Sequence, residues 1–146
     1  MTYTCSSADE TYAVAAQFAK QLKIGDVITL DGDLGAGKTA FTRGVAAGLG
    51  LQDTVVSPTF TIVNEYRRGD MPLFHFDVYR LECEDDLYDI GWDDYLTSGG
   101  VCIVEWSCIV PGCFDMPHYK VEITKDLAVG EDYRQISIEY VGGVQC

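Results

Sequence analysis

The chain has 146 residues, 47% apolar and 23% charged, a length that ordinarily makes one domain able to bury a core without disulfides or metal. Ten Lys and Arg against 23 Asp and Glu leave a formal charge of −13, which repels phosphate backbones and excludes a broad nucleic-acid-binding face. No apolar run approaches the ~18–20 residues of a membrane span, and MTYTCSSADE lacks the basic-then-apolar pattern of a leader, so a soluble, cytoplasmic chain is expected.

Ser7-Ala8-Asp9-Glu10 has the S-x-x-E form of a capping box, and Tyr12, Ala15, Ala16, Ala19 and Leu22 then recur at helical spacing. A first helix is predicted over about 8–22, ending near Gly25-Asp26. Val27 to Asp31 (VITLD) is a short, β-branched apolar run and reads as a buried strand. Lys38 to about Gly48 reads as a second helix stopped by Gly48 and Gly50. FTIVNEY (60–66) and LFHFDV (73–78) are strand candidates joined by RRGDMP, whose glycine and proline mark a reversal, so a hairpin is expected.

Glu82 to Leu96 is acidic, with Leu87, Ile90 and Leu96 as anchors, and Gly91 divides it into two short helices or a helix and a turn. VCIV (101–104) is a continuous apolar run ending in Glu105-Trp106. YKVEIT (119–124) and RQISIEYV (134–141) alternate with period 2, as half-exposed antiparallel strands do. The whole predicts one α/β domain over residues 1–146, with a mixed β-sheet, helices on its faces and the late antiparallel strands extending one edge. Six cysteines without a C-x-x-C pair, and His75 and His118 without a zinc spacing, predict reduced structural thiols. His75 reads as a strand residue rather than a ligand.

Between the first strand and the second helix, Gly32-Asp33-Leu34-Gly35-Ala36-Gly37-Lys38-Thr39 fits G-x-x-x-x-G-K-[ST] without a mismatch. Backbone N–H groups curl round the α- and β-phosphates of a nucleotide only where no Cβ intrudes, and the helix N-terminus adds its positive dipole end. Lys38 then reaches the β- and γ-phosphates, and Thr39 offers its hydroxyl to Mg²⁺. Asp33, Leu34, Gly35, Ala36, Gly37, Lys38, Thr39 and Ala40 are the expected cradle. Adenine is favoured over guanine, because Thr124-Lys125-Asp126-Leu127 does not complete a guanine-reading N/T-K-x-D motif.

Such a site needs a carboxylate at a neighbouring strand end, and Asp31, Asp77 and Glu105 each end an apolar run. Asp31 precedes the loop itself and is the poorest choice. Glu105, after the run of a central strand, is expected to serve Mg²⁺ directly or through water. Asp77 either orients the attacking water, acts behind the first layer of contacts, or caps a turn. Ser57, Pro58 and Thr59 form either a γ-phosphate-sensing loop or a strand-entry turn. Thr11 and Arg134 lie in segments that reach toward an adenine base.

GDLGAGKT, SPTFTIVNEY, FHFDVYRL, DIGWDDYL and CIVEW follow one another in an order and spacing that resembles the bacterial TsaE (YjeE) family, small ATPases required to make threonylcarbamoyladenosine in tRNA. The likeness runs from about Ser7 to Arg134. It implies a P-loop fold, ATP and Mg²⁺ as cofactors, magnesium binding at Glu105, roles for Asp77 and Trp106 in ATP turnover, and a switch-like loop at Ser57 to Thr59. It also implies two protein partners, TsaB and TsaD, of which TsaD transfers the threonylcarbamoyl group, with ATP hydrolysis resetting the complex. A chain this acidic is expected to meet tRNA only through those partners, as a monomer or weak oligomer. The segment Ser107 to Cys113 departs from the family pattern and is given no role. A small-molecule kinase and a nucleotide-sensing module without turnover are the competing readings; the kinase suffers from having only Arg134 beyond Arg80 to close over a transferred phosphate.

Overall fold

The computed structural model describes residues 1–32, 37–59 and 61–142. Its elements are β1 (Thr2–Cys5), α1 (Ala8–Ala19), β2 (Val27–Gly32), α2 (Lys38–Gly48), β3 (Val63–Tyr66), β4 (Leu73–Asp77), α3 (Glu84–Ile90), α4 (Trp92–Leu96), β5 (Val101–Glu105), β6 (His118–Lys125) and β7 (Arg134–Val141), with 3₁₀ turns at Ser107–Ile109 and Pro111–Cys113. All strands join one seven-stranded sheet in the order β1-β7-β6-β2-β5-β4-β3. β6, β2, β5 and β4 run parallel, while β3 pairs antiparallel to β4 and β7 antiparallel to both β6 and β1. A mixed sheet with helices on both faces is the architecture of P-loop nucleotide triphosphatases.

Strand periodicity sorts the core into two halves. Ile28 and Leu30 of β2, Leu73 of β4 and Val101 and Ile103 of β5 meet Ala15, Phe18, Phe41 and Val45 of α1 and α2. Their neighbours Val27, Phe74, Phe76, Cys102 and Val104 point the other way, onto Leu87 and Trp92 of α3 and α4. The α1–α2 pair is unusually close: a Cβ built on Gly44 would lie 2.3 Å from the Tyr12 carbonyl oxygen, and one on Gly48 2.4 Å from that of Ala16. These two glycines therefore serve helix packing, a use distinct from stopping the helix.

The capping box forms, with the Glu10 N–H donating to Ser7 Oγ at 3.1 Å, although α1 ends at Ala19 and the chain then turns toward β2. Gly91 divides the acidic segment as expected, with φ at 107°, a left-handed value that its lack of Cβ permits. Three strands differ from the expectation. β1 is additional; it is too short to signal by periodicity and is defined by its pairing with β7. β3 begins only at Val63, because Ile62 turns back with φ at 70° and its N–H bonds the Pro58 carbonyl at 2.8 Å; Phe60 lies outside the described residues. β6 is antiparallel to β7 as expected, but its other edge pairs parallel with β2, which puts it inside the sheet rather than at its rim.

Among the described residues five cysteines, Cys5, Cys83, Cys102, Cys108 and Cys113, are free thiols. Burial pushes the Cys102 thiol up to about 12. No helix among the described residues is long and apolar enough to cross a membrane.

Candidate functional site

The strand-to-helix junction β2–α2 is where the glycine motif falls. Of that motif, Asp33, Leu34, Gly35 and Ala36 lie outside the described residues. Gly37 caps α2 with φ at 102°, a left-handed conformation that favours glycine. Lys38 follows in the first turn, buried, and its Nζ donates to the Gly32 carbonyl at 2.9 Å. The same ammonium lies 3.9 Å from the centroid of the Trp106 ring, close enough for a cation–π attraction.

Trp106 is held there by backbone and side chain together. It has φ at 62°, uncommon for a bulky residue, and its ring packs, tilted by 56°, against Tyr79 with centroids 4.9 Å apart. The next residue, Ser107, is buried and donates its hydroxyl to Asp31 Oδ2 at 2.5 Å, fastening the turn after β5 to the end of β2. Asp31 is thereby a structural anchor. It belongs to the face opposite Leu30, so it points away from α2. Burial raises its carboxyl pKa, an effect the Ser107 hydrogen bond partly offsets.

Asp77 and Glu105 end adjacent parallel strands and are register partners. Counting back by twos, Asp77 shares a face with Leu73 and Glu105 with Ile103 and Val101, the face that meets α2. Both carboxylates are buried, at 7% and 4% exposure, and both approach the first turn of α2. Asp77 Oδ1 accepts the Tyr79 N–H at 3.0 Å, so it does cap a turn. Burial raises its pKa, with the Glu105 charge adding to the rise and the Tyr79 hydrogen bond and Lys38 opposing it.

Gly37, Lys38, Thr39, Ser57, Thr59, Asp77, Glu105 and Trp106 line one cleft of about 300 Å³. Residues that are up to 69 positions apart in the chain, from Gly37 to Trp106, thus converge. Pro58 is buried beneath the Ser57 to Thr59 loop, whose two hydroxyls bond each other at 2.8 Å. Ala40 sits half-buried as the third residue of α2. Thr11 and Arg134 do not line the cleft. Thr11 is buried in α1, and Arg134, at the start of β7, pairs with Cys5 and donates to the Glu131 and Tyr133 carbonyls at 3.0 and 2.8 Å.

His75 lies in β4, as expected, and its contacts add to that reading. Its Nε2 lies 2.5 Å from Glu105 Oε2 and its Nδ1 lies 3.3 Å from the Tyr66 hydroxyl. The one signal for it was a polar ring inside LFHFD at a position whose two-residue neighbours are an anchor and an acid. Nothing local marked Ser107.

Chemically, the cleft offers an ammonium, a helix N-terminus, hydroxyls and two carboxylates at the ends of adjacent strands. That donor set suits a phosphate ester with a small, hard divalent cation, which takes one or two carboxylates and keeps oxygens from water and phosphate for its remaining positions. A cage of three or more His, Cys, Asp or Glu side chains is not required for such an ion, and the described residues form none.

Comparison with known proteins agrees with this architecture. The model of the family described as "Threonylcarbamoyl adenosine biosynthesis protein TsaE" matches residues 5–136. The chain belongs to the TsaE family. Its similarity to family members is high: it is 48% identical over 134 residues to the tRNA threonylcarbamoyladenosine biosynthesis protein TsaE of Bacillus subtilis (strain 168), covering 92% of this chain and 82% of that one. The protein of the same description from Treponema pallidum (strain Nichols) is 41% identical over 118 residues, covering 81% of this chain and 85% of that one. A crystal structure of Bacillus subtilis YdiB superposes with a TM-score of 0.82 at 39% identity, covering 97% of this chain and 86% of that one. The relatives' descriptions name a role in threonylcarbamoyladenosine biosynthesis.

Proposed function

We propose that this chain binds ATP with Mg²⁺ in the Lys38–Glu105 cleft and hydrolyses it, as the ATPase component of the cytoplasmic machinery that forms threonylcarbamoyladenosine in tRNA. The observation that carries the reading is the convergence of Gly37, Lys38, Thr39, Ser57, Thr59, Asp77, Glu105 and Trp106 on one cleft at the N-terminus of α2. Family membership supports the same pathway. Residues 1–146 act in this reading as one ATPase domain built on the single sheet.

Lys38 exchanges its bond to the Gly32 carbonyl for the β- and γ-phosphates, and Trp106 keeps the ammonium aimed into the cleft until then. The N–H groups opening α2, with the cradle Asp33 to Ala40, bind the remaining phosphate oxygens. Thr39 and Glu105 are the residues that would hold Mg²⁺, whose charge offsets that developing on the phosphates during cleavage. Asp77, beside Glu105 at the strand end, orients the water that attacks the γ-phosphate. Ser57 and Thr59 border the cleft from the opposite loop and sense whether that phosphate is present. Thr11 and Arg134, which do not border the phosphate end of the site, would lie toward the adenine base.

The partners in this reading are TsaB and TsaD, with tRNA engaged through them. A formal charge of −13 favours docking on a basic protein surface over binding a polyphosphate backbone. The kinase alternative receives no support from the cleft, whose lining residues include no arginine. ATP turnover measured with and without a TsaB–TsaD complex tests the proposal. Stimulated turnover that Lys38→Ala abolishes is expected; absence of both binding and stimulation would sink it.

A further inference from the structure

The ring of His75 is completely buried on the face of β4 that packs toward α2, between Leu73 and Asp77. An aliphatic side chain would fill such a place without the desolvation cost of an imidazole. Its two nitrogens are instead both engaged, Nε2 with Glu105 Oε2 and Nδ1 with the Tyr66 hydroxyl. Tyr66 is itself 4% exposed, and its hydroxyl holds one loop residue at both ends of its peptide backbone. It donates to the Val56 carbonyl at 2.9 Å and accepts the Val56 N–H at 3.1 Å. Nε2–H donates to the Glu105 carboxylate, and Nδ1 meets, at 3.3 Å, the same Tyr66 hydroxyl that holds Val56. Val56 immediately precedes Ser57, which lines the cleft with Thr59.

We propose that His75 and Tyr66 are positioning residues that tie the Ser57–Thr59 loop to the Glu105 carboxylate. One oxygen of Glu105 is fixed by His75, which selects a single orientation for the carboxylate. Movement of the loop alters the Val56–Tyr66 contacts, and through His75 the aim of Glu105. Conversely, a cation drawing on Glu105 tightens the loop three hydrogen bonds away. The coupling toward a cation rests on the proposed Mg²⁺–nucleotide site; the loop-to-carboxylate connection without nucleotide does not.

Two measurements test it. Amide hydrogen exchange of Val56 in the nucleotide-free protein is expected to speed up roughly tenfold in Tyr66→Phe, in His75→Leu and in Glu105→Ala, the last at a distance of two intervening side chains. A Val56 exchange rate unchanged in Glu105→Ala would overturn the connection. Binding of a non-hydrolysable ATP analogue is then titrated with and without Mg²⁺. The factor by which Mg²⁺ strengthens binding is expected to fall roughly tenfold in Tyr66→Phe and His75→Leu, with Mg²⁺-free affinity within about twofold of wild type and partial recovery in His75→Gln, which keeps a donor for Glu105. A Mg²⁺ gain equal to wild type in Tyr66→Phe would reduce both residues to structural supports and overturn the proposal. Tyr66→Phe removes a single oxygen and decides the matter alone if His75→Leu does not fold. Wild-type protein that fails to bind the analogue would overturn the nucleotide reading instead, and the exchange of Val56 in Glu105→Ala would still judge the connection.

Discussion

β4 carries two chemistries on one five-residue strand. Phe74 and Phe76 face α3 and α4, where Phe76 meets Trp92 at 5.3 Å and Tyr95 at 5.1 Å in edge-to-face contacts. Leu73, His75 and Asp77 face α2 and grow more polar toward the strand end, until the face opens into the cleft. The aromatic face stabilises the fold by area and close fit. The other face keeps buried polar groups that cost folding energy, each with a hydrogen-bond partner, His75 behind the cleft and Asp77 lining it. Stability and chemistry are thus separated by the two-residue alternation of one strand.

The separation is broken most sharply from the aromatic side. Phe76→Ala should cost about 3–5 kcal/mol, because the void beside Trp92 and Tyr95 cannot collapse under a sheet; urea unfolding will report a lower midpoint with a similar slope. On the polar face, Glu105→Gln should lower ATP turnover at least ~100-fold, equivalent to about 2.7 kcal/mol at the barrier, while leaving the melting temperature within a few degrees. A Glu105→Gln protein with wild-type turnover, or one that simply unfolds, would blur the division.

Gly44→Ala probes the helix layer above the polar face. The added Cβ would meet the Tyr12 carbonyl and the Ala15 Cβ, at 2.3 and 2.6 Å. Backbone cannot yield as a flexible side chain does, so α1 and α2 must separate, with a loss of about 1–3 kcal/mol by thermal or chemical unfolding. An unchanged stability would mean that the pair is looser than its contacts indicate.

The smallest effect carries a sign. Asp77 has a raised pKa in the fold, so its proton is bound more tightly there than in the unfolded chain. Below about pH 3.9 the carboxyl is protonated in both states and costs nothing; as pH rises through the folded value, the buried charge appears and stability is lost. Asp77→Asn keeps an oxygen for the Tyr79 N–H and should raise the melting temperature at pH 7 by about 3 °C, a gain that shrinks as pH falls toward 4. The same variant should lose turnover. A gain independent of pH would place its origin elsewhere than in the buried charge.

Much of this was legible from local residues. The Ser7–Glu10 cap, the break at Gly91 and the runs that became β2, β4, β5 and β7 follow from contacts within a few positions, where backbone preference and periodicity act. The expectation of a mixed sheet with helices on its faces was correct for the same reason, as was the likeness to the TsaE family, carried by motifs in order along the chain. The edge was less legible. β1 is defined by β7, and the parallel pairing of β6 with β2 leaves no mark in either strand's own pattern.

At the cleft, the sequence by itself determined which chemical groups were on offer: a glycine-bordered lysine and threonine, strand-end carboxylates and a proline-stiffened loop. Only the tertiary structure decided their company. The His75–Glu105 contact spans 30 positions and the Ser107–Asp31 bond 76, separations at which no local preference acts and only the register of neighbouring strands brings side chains together. The same register turns Asp77 and Glu105 toward Lys38 and turns Asp31 away, because successive residues of a pleated strand must point to opposite sides of the sheet.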